Sequence, residues 1–314
     1  MSPQPYLVHV NDVPPENMQQ GDGWAISEFR LPVTGAHGSA TTIFHSIFRP
    51  GSTHAKHLHS RCDEIAVYIK GHGIVGQSNQ RTQVGPGHCR LMPAGSPHFF
   101  HNETKDQDGL VIGFYMGAKS VPDTGYKFCG HVTKADLEMP RAPTLTEGIL
   151  LNVADVAPAR LSAEQGWNVS DFRLSIGRHN GSPHNAQFWA KLAPGDAHHK
   201  HRFYQCEVLY YVVSGEGIAG AGGHAARVRG GHVHFIPKGV EHYIVNTSKT
   251  ETLEVIGVYT GAGSVEDGGY VYSGKVTEPI SSSTNPAASH LRLLFTRSAA
   301  PESVGPVIGN TSCT

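Results

Sequence analysis

Four residues in the first half of the chain have the types and the spacing of a metal site. His57 and His59 are two positions apart, so on a strand both side chains project from the same face. Glu64 follows after a gap the length of a turn, and His98 begins another strand after the turn at Pro93–Gly95. Neutral imidazoles with one carboxylate suit Fe, Mn, Ni, Cu or Zn. Three nitrogen ligands and one oxygen ligand leave coordination positions open for a substrate or O₂.

The residues around these ligands match two longer motifs. The first is G-x5-H-x-H-x4-E-x6-G from Gly51 to Gly71, and the second is G-x5-P-x-G-x2-H-x3-N from Gly87 to Asn102. Both resemble the signature motifs of the cupin superfamily without a departure. The resemblance implies a double-stranded β-helix, or jelly-roll barrel, that holds one divalent metal ion. Its ligands would be His57, His59, Glu64 and His98.

The chain contains an internal duplication. Val111–Thr133 aligns with Val255–Thr277, and Gly87–Asn102 aligns with Gly231–Asn246, both at an offset of 144 residues. The copies occupy residues 1–140 and 141–280, so the whole chain to about residue 280 resembles a bicupin. The remaining residues, 281–314, are rich in Ser and Pro and are expected to form a flexible tail. An alternative is that Leu291–Phe295 lies as an arm on a neighbouring subunit.

The local patterns favour an all-β fold of two tandem barrels. Thr41–Phe48, Glu64–Ile69 and Leu110–Tyr115 are short runs rich in β-branched and aromatic residues, separated by Gly and Pro clusters. Many short strands joined by turns are typical of a sandwich or small barrel. Helical turns are expected only at Thr133–Leu137 and Glu16–Gln20.

The second copy keeps two of the four ligand positions. His57 aligns with His201 and His98 with His242, whereas the positions of His59 and Glu64 hold Phe203 and Val208. Glu207 is adjacent to Val208, so on a strand its side chain faces the opposite side. We therefore expect metal only in the N-terminal barrel, with His201, Glu207 and His242 as a remnant. An alternative register with a local bulge joins His199, His201, Glu207 and His242 into a second metal site.

Polar residues that occur only in the first copy are candidates for catalysis. Tyr68 lies four positions after Glu64 and should line the same interior face. Glu64, Tyr68 and His45 are predicted to transfer protons, and Glu64 could do so either as a metal ligand or after leaving the metal.

Four further residues are predicted to contact the substrate. Arg49 or Arg90 could bind a carboxylate through two hydrogen bonds, and His101 is a polar candidate of the same kind. Phe100 shares the strand face of His98 and should form an apolar wall. His54, His72 and His88 are expected at turns, in contact with water.

Three functions are compatible with this site. The favoured one is an Fe(II)-dependent dioxygenase whose metal binds a diketone, phenol or hydroxy acid and prepares it for O₂. The alternative is a non-oxidative isomerase, decarboxylase or hydrolase that uses Mn, Ni or Zn as a Lewis acid. The third is a storage or sensor protein, which the intact ligand set in one copy argues against.

Composition excludes several classes of protein. The 25 Lys and Arg residues balance 26 Asp and Glu residues, so no basic field would attract nucleic acid. No apolar window approaches the ~18 residues of a membrane span. The five cysteines are scattered without a CxxC pair, and the N-terminus lacks the pattern of a signal peptide, so a cytoplasmic location is expected. Because jelly-roll barrels often pair through their sheets, we also expect a homo-oligomer.

Overall fold

A computed structural model describes residues 2–18, 23–77, 79–142 and 145–277. The described residues up to Val276 belong to one compact unit. The tail predicted at 281–314 lies outside the described residues.

The described residues of each copy form twelve strands, so the fold is all-β as expected. In the first copy the strands are β1 (Tyr6–His9), β2 (Trp24–Ala25), β3 (Glu28–Val33), β4 (Thr42–Phe48), β5 (Thr53–His59), β6 (Asp63–Lys70), β7 (Gly73–Gln77), β8 (Gln80–Val84), β9 (His88–Met92), β10 (His98–Asn102), β11 (Gly109–Met116) and β12 (Tyr126–Gly130). In the second copy they are β13 (Ile149–Asn152), β14 (Trp167–Asn168), β15 (Asp171–Ile176), β16 (Asn185–Leu192), β17 (Ala197–Phe203), β18 (Glu207–Ser214), β19 (Glu216–Ala221), β20 (His224–Arg229), β21 (His232–Ile236), β22 (His242–Asn246), β23 (Leu253–Thr260) and β24 (Tyr270–Gly274).

Within the described ranges, helical structure is confined to short pieces. The helix α1 spans Lys134–Leu137, and its N-terminus is capped by Thr133, whose hydroxyl accepts from the backbone N–H of Asp136. Glu16–Met18, the described part of the other predicted helical turn, is irregular. Single 3₁₀ turns occur at Val10–Asp12, Gly35–His37, Pro122–Thr124, Val153–Asp155, Ala163–Gln165 and Arg178–Asn180.

The strands form four antiparallel sheets, two for each barrel. The N-terminal barrel combines the sheet β13-β9-β6-β11-β4-β3 with the sheet β12-β5-β10-β7-β8, in which β2 also pairs with β5. The C-terminal barrel combines β1-β21-β18-β23-β16-β15 with β14-β17-β22-β19-β20, in which β24 also pairs with β17. Each barrel has its own apolar core.

The two copies exchange their first strands. Tyr6 of β1 pairs with Phe235 of β21 in the C-terminal barrel, while Ile149 of β13 pairs with Leu91 of β9 in the N-terminal barrel. Each copy of the sequence therefore completes a sheet of the other barrel, and the boundary near residue 140 separates the sequence repeats but not the closed sheets.

A third apolar core joins the two barrels. Ile65 and Val67 of β6 and Ile112 of β11 pack in one cluster with Leu209 of β18 and Val258 of β23. Because side chains alternate across a strand, the intervening residues of β6 point the other way, into the N-terminal barrel. These strands are buried on both faces, which explains their almost continuous apolar sequences.

The glycines of the motifs occupy tight turns. Gly71 directly follows β6 and has φ +77°, and its counterpart Gly215 directly follows β18 and has φ +78°. A Cβ atom at Gly71 would lie 2.8 Å from the Cα of Gly109, so both the backbone conformation and the space require glycine here. This turn fixes where the strand that carries Glu64 ends.

Candidate metal centre

Three strands of the N-terminal barrel bring the predicted ligands together. β5 carries His57 and His59 on one face, β6 carries Glu64, and β10 begins with His98. His98 lies directly opposite His57 in the β5–β10 pair. The alternation of side chains on β5 thus directs both His57 and His59 inward, toward the carboxylate on β6.

The four side chains form one compact, buried cluster. One donor atom from each of His57, His59, Glu64 and His98 lies within 4.8 Å of the others. Glu64 Oε2 is 2.9 Å from His59 Nε2 and 3.3 Å from His98 Nε2. All four residues are less than 10% exposed.

Hydrogen bonds behind the cluster fix the imidazole tautomers. The Nδ1–H of His57 donates to the backbone oxygen of Ala55 at 2.7 Å, and that of His98 donates to Ser96 O at 2.8 Å. His59 Nδ1–H donates to Thr124 Oγ1 at 2.9 Å, because the Thr124 hydroxyl is itself used as a donor to Val121 O. In each neutral ring the Nε2 atom is therefore an unprotonated lone pair that faces the cluster.

This arrangement fits a divalent metal ion. Three Nε2 lone pairs and a carboxylate oxygen converge without a hydrogen atom between them, and none of these buried atoms has a hydrogen-bond partner among the described residues. Four acceptors so close together repel one another unless a cation lies between them. Outer hydrogen bonds of this kind also orient histidine ligands at metal sites.

The protonation states agree with this ligand set. Burial lowers the pKa of His57 well below its ordinary value and also lowers that of His98, so both imidazoles are neutral. The Glu64 carboxylate is then the anionic member of the ligand set.

A cavity of about 30 Å³ adjoins the cluster, and a buried arginine side chain forms part of its wall. Arg90 lines it and is only 1% exposed. Its guanidinium donates to Gly76 O at 3.0 Å and to the Tyr68 hydroxyl. Glu64 attracts it electrostatically, but no described carboxylate forms a salt bridge with it. Burial raises the pKa of Tyr68 to about 12, so this phenol is a hydrogen-bond donor at neutral pH.

The sequence also matches a known family in both copies. The profile described as the cupin domain matches residues 44–112 and again residues 188–259, the corresponding parts of the two barrels. The chain is a bicupin.

The curated relatives of this bicupin match only part of it. Two oxalate oxidases from Triticum aestivum, GF-3.8 and GF-2.8, are each 33% identical to it over 82 and 75 residues. The matches cover 24% and 21% of this chain and 37% and 34% of the relatives. The chain thus spans about a third of the length of the curated relatives it matches.

Solved structures resemble the bicupin over most of its length. Two variants of oxalate decarboxylase from Bacillus subtilis superpose with TM-scores of 0.62 and 0.65, at 15% and 14% identity. They cover 83% and 87% of this chain, and 78% and 80% of their own. A further structure of that enzyme, reported for its Mn(II) centres, has a TM-score of 0.64 at 14% identity and covers 87% of this chain and 80% of its own. At such identities the likeness shows the fold, a tandem jelly-roll.

Three residues predicted from the sequence do not reach the cavity of the bicupin. His45 lies on the outward face of β4 and packs near Tyr211 between the barrels, with ring centroids 6.1 Å apart. Arg49 is exposed in the turn after β4. His101 lies on the outward face of β10, where its Nδ1 is 2.8 Å from Thr53 Oγ1. His45 faces outward because side chains alternate along β4 and its neighbours Phe44 and Ser46 line the cavity.

Two cavity residues were missed by the sequence analysis. Ser46 lines the cavity, and its hydroxyl has no hydrogen-bond partner among the described residues. His54, which was expected at a turn in water, is buried on β5 and stacks on His57 with ring centroids 3.8 Å apart. The alignment of the two copies contained a signal for each residue. Ser46 aligns with Ala190, so its hydroxyl occurs only in the first copy, whereas His54 aligns with a second histidine, His198. His198 stacks on His201 in the same way, with ring centroids 3.6 Å apart.

The C-terminal barrel places its remnant residues differently. His201 lies opposite His242 in the β17–β22 pair, with ring centroids 4.0 Å apart. The Glu207 carboxylate instead accepts from the backbone N–H of Ala40 at 2.9 Å, outside the barrel. Among the described residues, the N-terminal set is the only cluster of three or more metal-ligating side chains. The register that joins Glu207 to His199, His201 and His242 is therefore not the one adopted.

The described residues contain no helix that is both long enough and apolar enough to cross a bilayer.

Proposed function

We propose that the N-terminal barrel is a metal-dependent enzyme that cleaves a carbon–carbon bond in a small carboxylic or hydroxy acid. The observation that carries this proposal is Arg90, a buried guanidinium without a described carboxylate partner, in the cavity next to the four metal ligands. Removing a charge from water is costly unless an opposite charge compensates it. A carboxylate substrate supplies that charge.

The balance of charges in the cavity supports an anionic substrate. Glu64 offsets only part of the charge of a divalent ion, and Arg90 adds a further positive charge. A small acid that chelates the metal through one carboxylate and pairs with Arg90 through another oxygen would neutralise the site. The oxalate oxidases and the oxalate decarboxylase described above are named for oxalate, the smallest dicarboxylate, which agrees with this class of substrate.

The size of the cavity also favours a small acid over the phenols and larger diketones. The cavity beside the ligands measures only about 30 Å³, so the reacting part of the substrate must be compact. Phe44, Phe48 and Phe100 form apolar walls of the cavity. Such walls lower the local dielectric constant and so strengthen the electrostatic contacts made by Arg90.

Each residue of the cavity has a role in this proposal. His57, His59, Glu64 and His98 would hold the metal, which lowers the pKa of a chelated hydroxyl and stabilises negative charge on substrate oxygens. Arg90 orients the carboxylate through parallel N–H bonds. Tyr68 donates a hydrogen bond to the same end of the substrate, because its raised pKa keeps the phenol protonated.

The choice between an oxidative and a non-oxidative reaction depends on the metal and on O₂. Fe(II) with O₂ corresponds to the oxygenase favoured by the sequence, whereas Mn(II), the ion named for the Bacillus enzyme, also agrees with the non-oxidative class. Metal analysis of protein purified without added metal identifies the ion. An oxygen electrode and CO₂ release, with oxalate, glycolate and malonate beside catechol and acetylacetone, then identify the reaction.

The decisive variant is Arg90→Gln, with Arg49→Gln as its matched control. We expect Arg90→Gln to lower kcat/KM for the active acid by about 10²-fold or more, without loss of bound metal. Arg49 is exposed outside the cavity, so Arg49→Gln should leave the kinetics unchanged. Equal activity of both variants, or turnover of the neutral diketone alone, contradicts the proposal.

The homo-oligomer stays a prediction that light scattering tests.

A further inference from the structure

The C-terminal barrel contains a cavity of its own. It measures about 40 Å³ and is walled by aromatic and aliphatic side chains, including Trp167, Phe172, Phe188 and Tyr259. Protein interiors are normally packed without voids of this size. The side chains that replace two of the metal ligands, Phe203 and Val208, line the cavity without filling it.

Two hydrogen-bond acceptors face this apolar cavity. His201 and His242 line it and are 2% and 5% exposed. The Nδ1–H of His201 donates to His199 O at 2.6 Å, and that of His242 donates to Val240 O at 2.9 Å. A carbonyl oxygen only accepts, so Nδ1 carries the hydrogen and Nε2 is the lone pair in both neutral rings. Neither Nε2 atom has a partner among the described residues.

The charged groups of the metal site have neutral counterparts here. Glu64 is replaced by Val208, and Arg90 is replaced by His234, whose Nδ1 bonds to the Tyr210 hydroxyl at 2.8 Å. His198 also lines the cavity, but its Nε2 pairs with the Tyr270 hydroxyl at 3.3 Å. A divalent ion would find no carboxylate and no converging set of three ligand atoms among the described residues, so the three-histidine, one-glutamate ligand set is not available. An ionic ligand of either sign would be uncompensated in this cavity. The lining therefore suits a neutral ligand.

We infer that the C-terminal barrel is a binding site for a small neutral alcohol, whose hydroxyl donates to Nε2 of His201 or His242. The apolar part of the alcohol lies against the aromatic walls. The size of the cavity limits the enclosed part of the ligand to two or three heavy atoms. With so few atoms, the expected affinity is in the millimolar range.

The test uses the full-length protein with ¹⁵N-labelled histidine. Two-bond ¹H–¹⁵N correlation spectra report directly on the Nε2 atoms of His201 and His242. Ethanol is the probe, and acetonitrile, which has three heavy atoms but no donor, is the matched control. We expect a saturable shift of at least one of these Nε2 signals with ethanol and no saturable shift with acetonitrile. A linear drift with ethanol, or the same response to both solvents, overturns the inference and leaves ordered water as the occupant.

A cavity-filling variant provides the second arm. Ala190 lines the cavity and is buried, so Ala190→Leu should abolish the ethanol response while both histidine signals persist. Ala226 is exposed on β20, so Ala226→Leu should keep the response. Val255→Ile, which adds a single methylene, replaces Ala190→Leu if the latter does not fold. An undiminished response in the filled variants contradicts the assignment of the site.

Discussion

His98 lies directly opposite His57 across the β5–β10 pair, with the two imidazole rings 4.2 Å apart. Their counterparts His242 and His201 face each other across β17 and β22 at 4.0 Å. The duplication has kept this cross-strand pair in both barrels while the other two ligand positions have diverged. The pair alone therefore does not define a metal site, and the function of the N-terminal barrel depends on the addition of His59 and Glu64.

The first prediction compares equivalent histidines of the two barrels. We expect His98→Ala to reduce bound metal to near zero, because it removes one of four converging ligands. His242→Ala should leave the metal content of the chain unchanged, because no described carboxylate joins His201 and His242. Metal per chain is measured by plasma mass spectrometry after dialysis. A halved metal content in His242→Ala would mean that both barrels bind metal.

The second prediction concerns the hydrogen bond behind His59. Thr124→Val removes the oxygen that accepts from His59 Nδ1–H and frees the ring to rotate or to change tautomer. Loss of such an outer contact typically weakens metal binding 10–100-fold. Competition with a chelator measures the change.

Thr53→Val is the control for this hydrogen bond. Thr53 lies on the same strand as His59, but its hydroxyl pairs with His101 on the outward face. We expect its metal affinity to match that of the unmodified protein. An equal loss in both threonine variants would point to a general effect on β5 rather than to the orientation of His59.

The sequence was sufficient to predict the metal cluster because its signal is local. The spacing of His57 and His59 follows from strand alternation, and the flanking glycines mark the turns on either side. His45 was misassigned because the sequence of β4, TIFHSIF, is apolar on both faces. One face packs in the barrel and the other packs against the second barrel. The alternation of apolar and polar residues therefore does not show which face of β4 points into the barrel. Contacts between distant segments, such as the exchange of β1 and β13, leave no pattern within either copy.

The third prediction uses the position of His45 between the barrels. Burial lowers the pKa of His45 to about 4, below its ordinary value of 6.5. Between these pH values the unfolded chain binds a proton at this position and the folded chain does not, so stability falls as the pH falls. Each such histidine contributes up to about 1.4 kcal/mol per pH unit to the slope of the unfolding free energy against pH. The variant His45→Leu should lose this contribution to the slope below pH 6.5.

Denaturant unfolding at pH 7, 6 and 5 measures the effect. Above pH 6.5 the difference in unfolding free energy between His45→Leu and the unmodified protein should be constant. His224 is exposed on β20, and we expect His224→Leu to leave the slope unchanged. If His45→Leu keeps the full slope, His45 is protonated in the folded protein and is not sealed between the barrels.

The last prediction tests the exchange of first strands. Val10 N–H donates to Gly231 O at 3.0 Å, and Val153 N–H donates to Gly87 O at 2.8 Å, so each bond crosses to the other copy. The preceding residues His9 and Asn152 are extended, with ψ 137° and 136°, and so accept a following proline. Proline at either position therefore removes the N–H donor. We expect each variant to lower the free energy of unfolding by about 1–3 kcal/mol.

Hydrogen exchange with mass spectrometry locates the consequence of each variant. Val10→Pro lies in the first copy but should accelerate exchange in β21 of the C-terminal barrel. Val153→Pro lies in the second copy but should accelerate exchange in β9 of the N-terminal barrel, the strand that carries Arg90. Faster exchange confined to the barrel of the substituted copy would contradict the exchange of strands. With strand exchange, Val153→Pro should also lower the activity that depends on Arg90, whereas Val10→Pro should leave it unchanged.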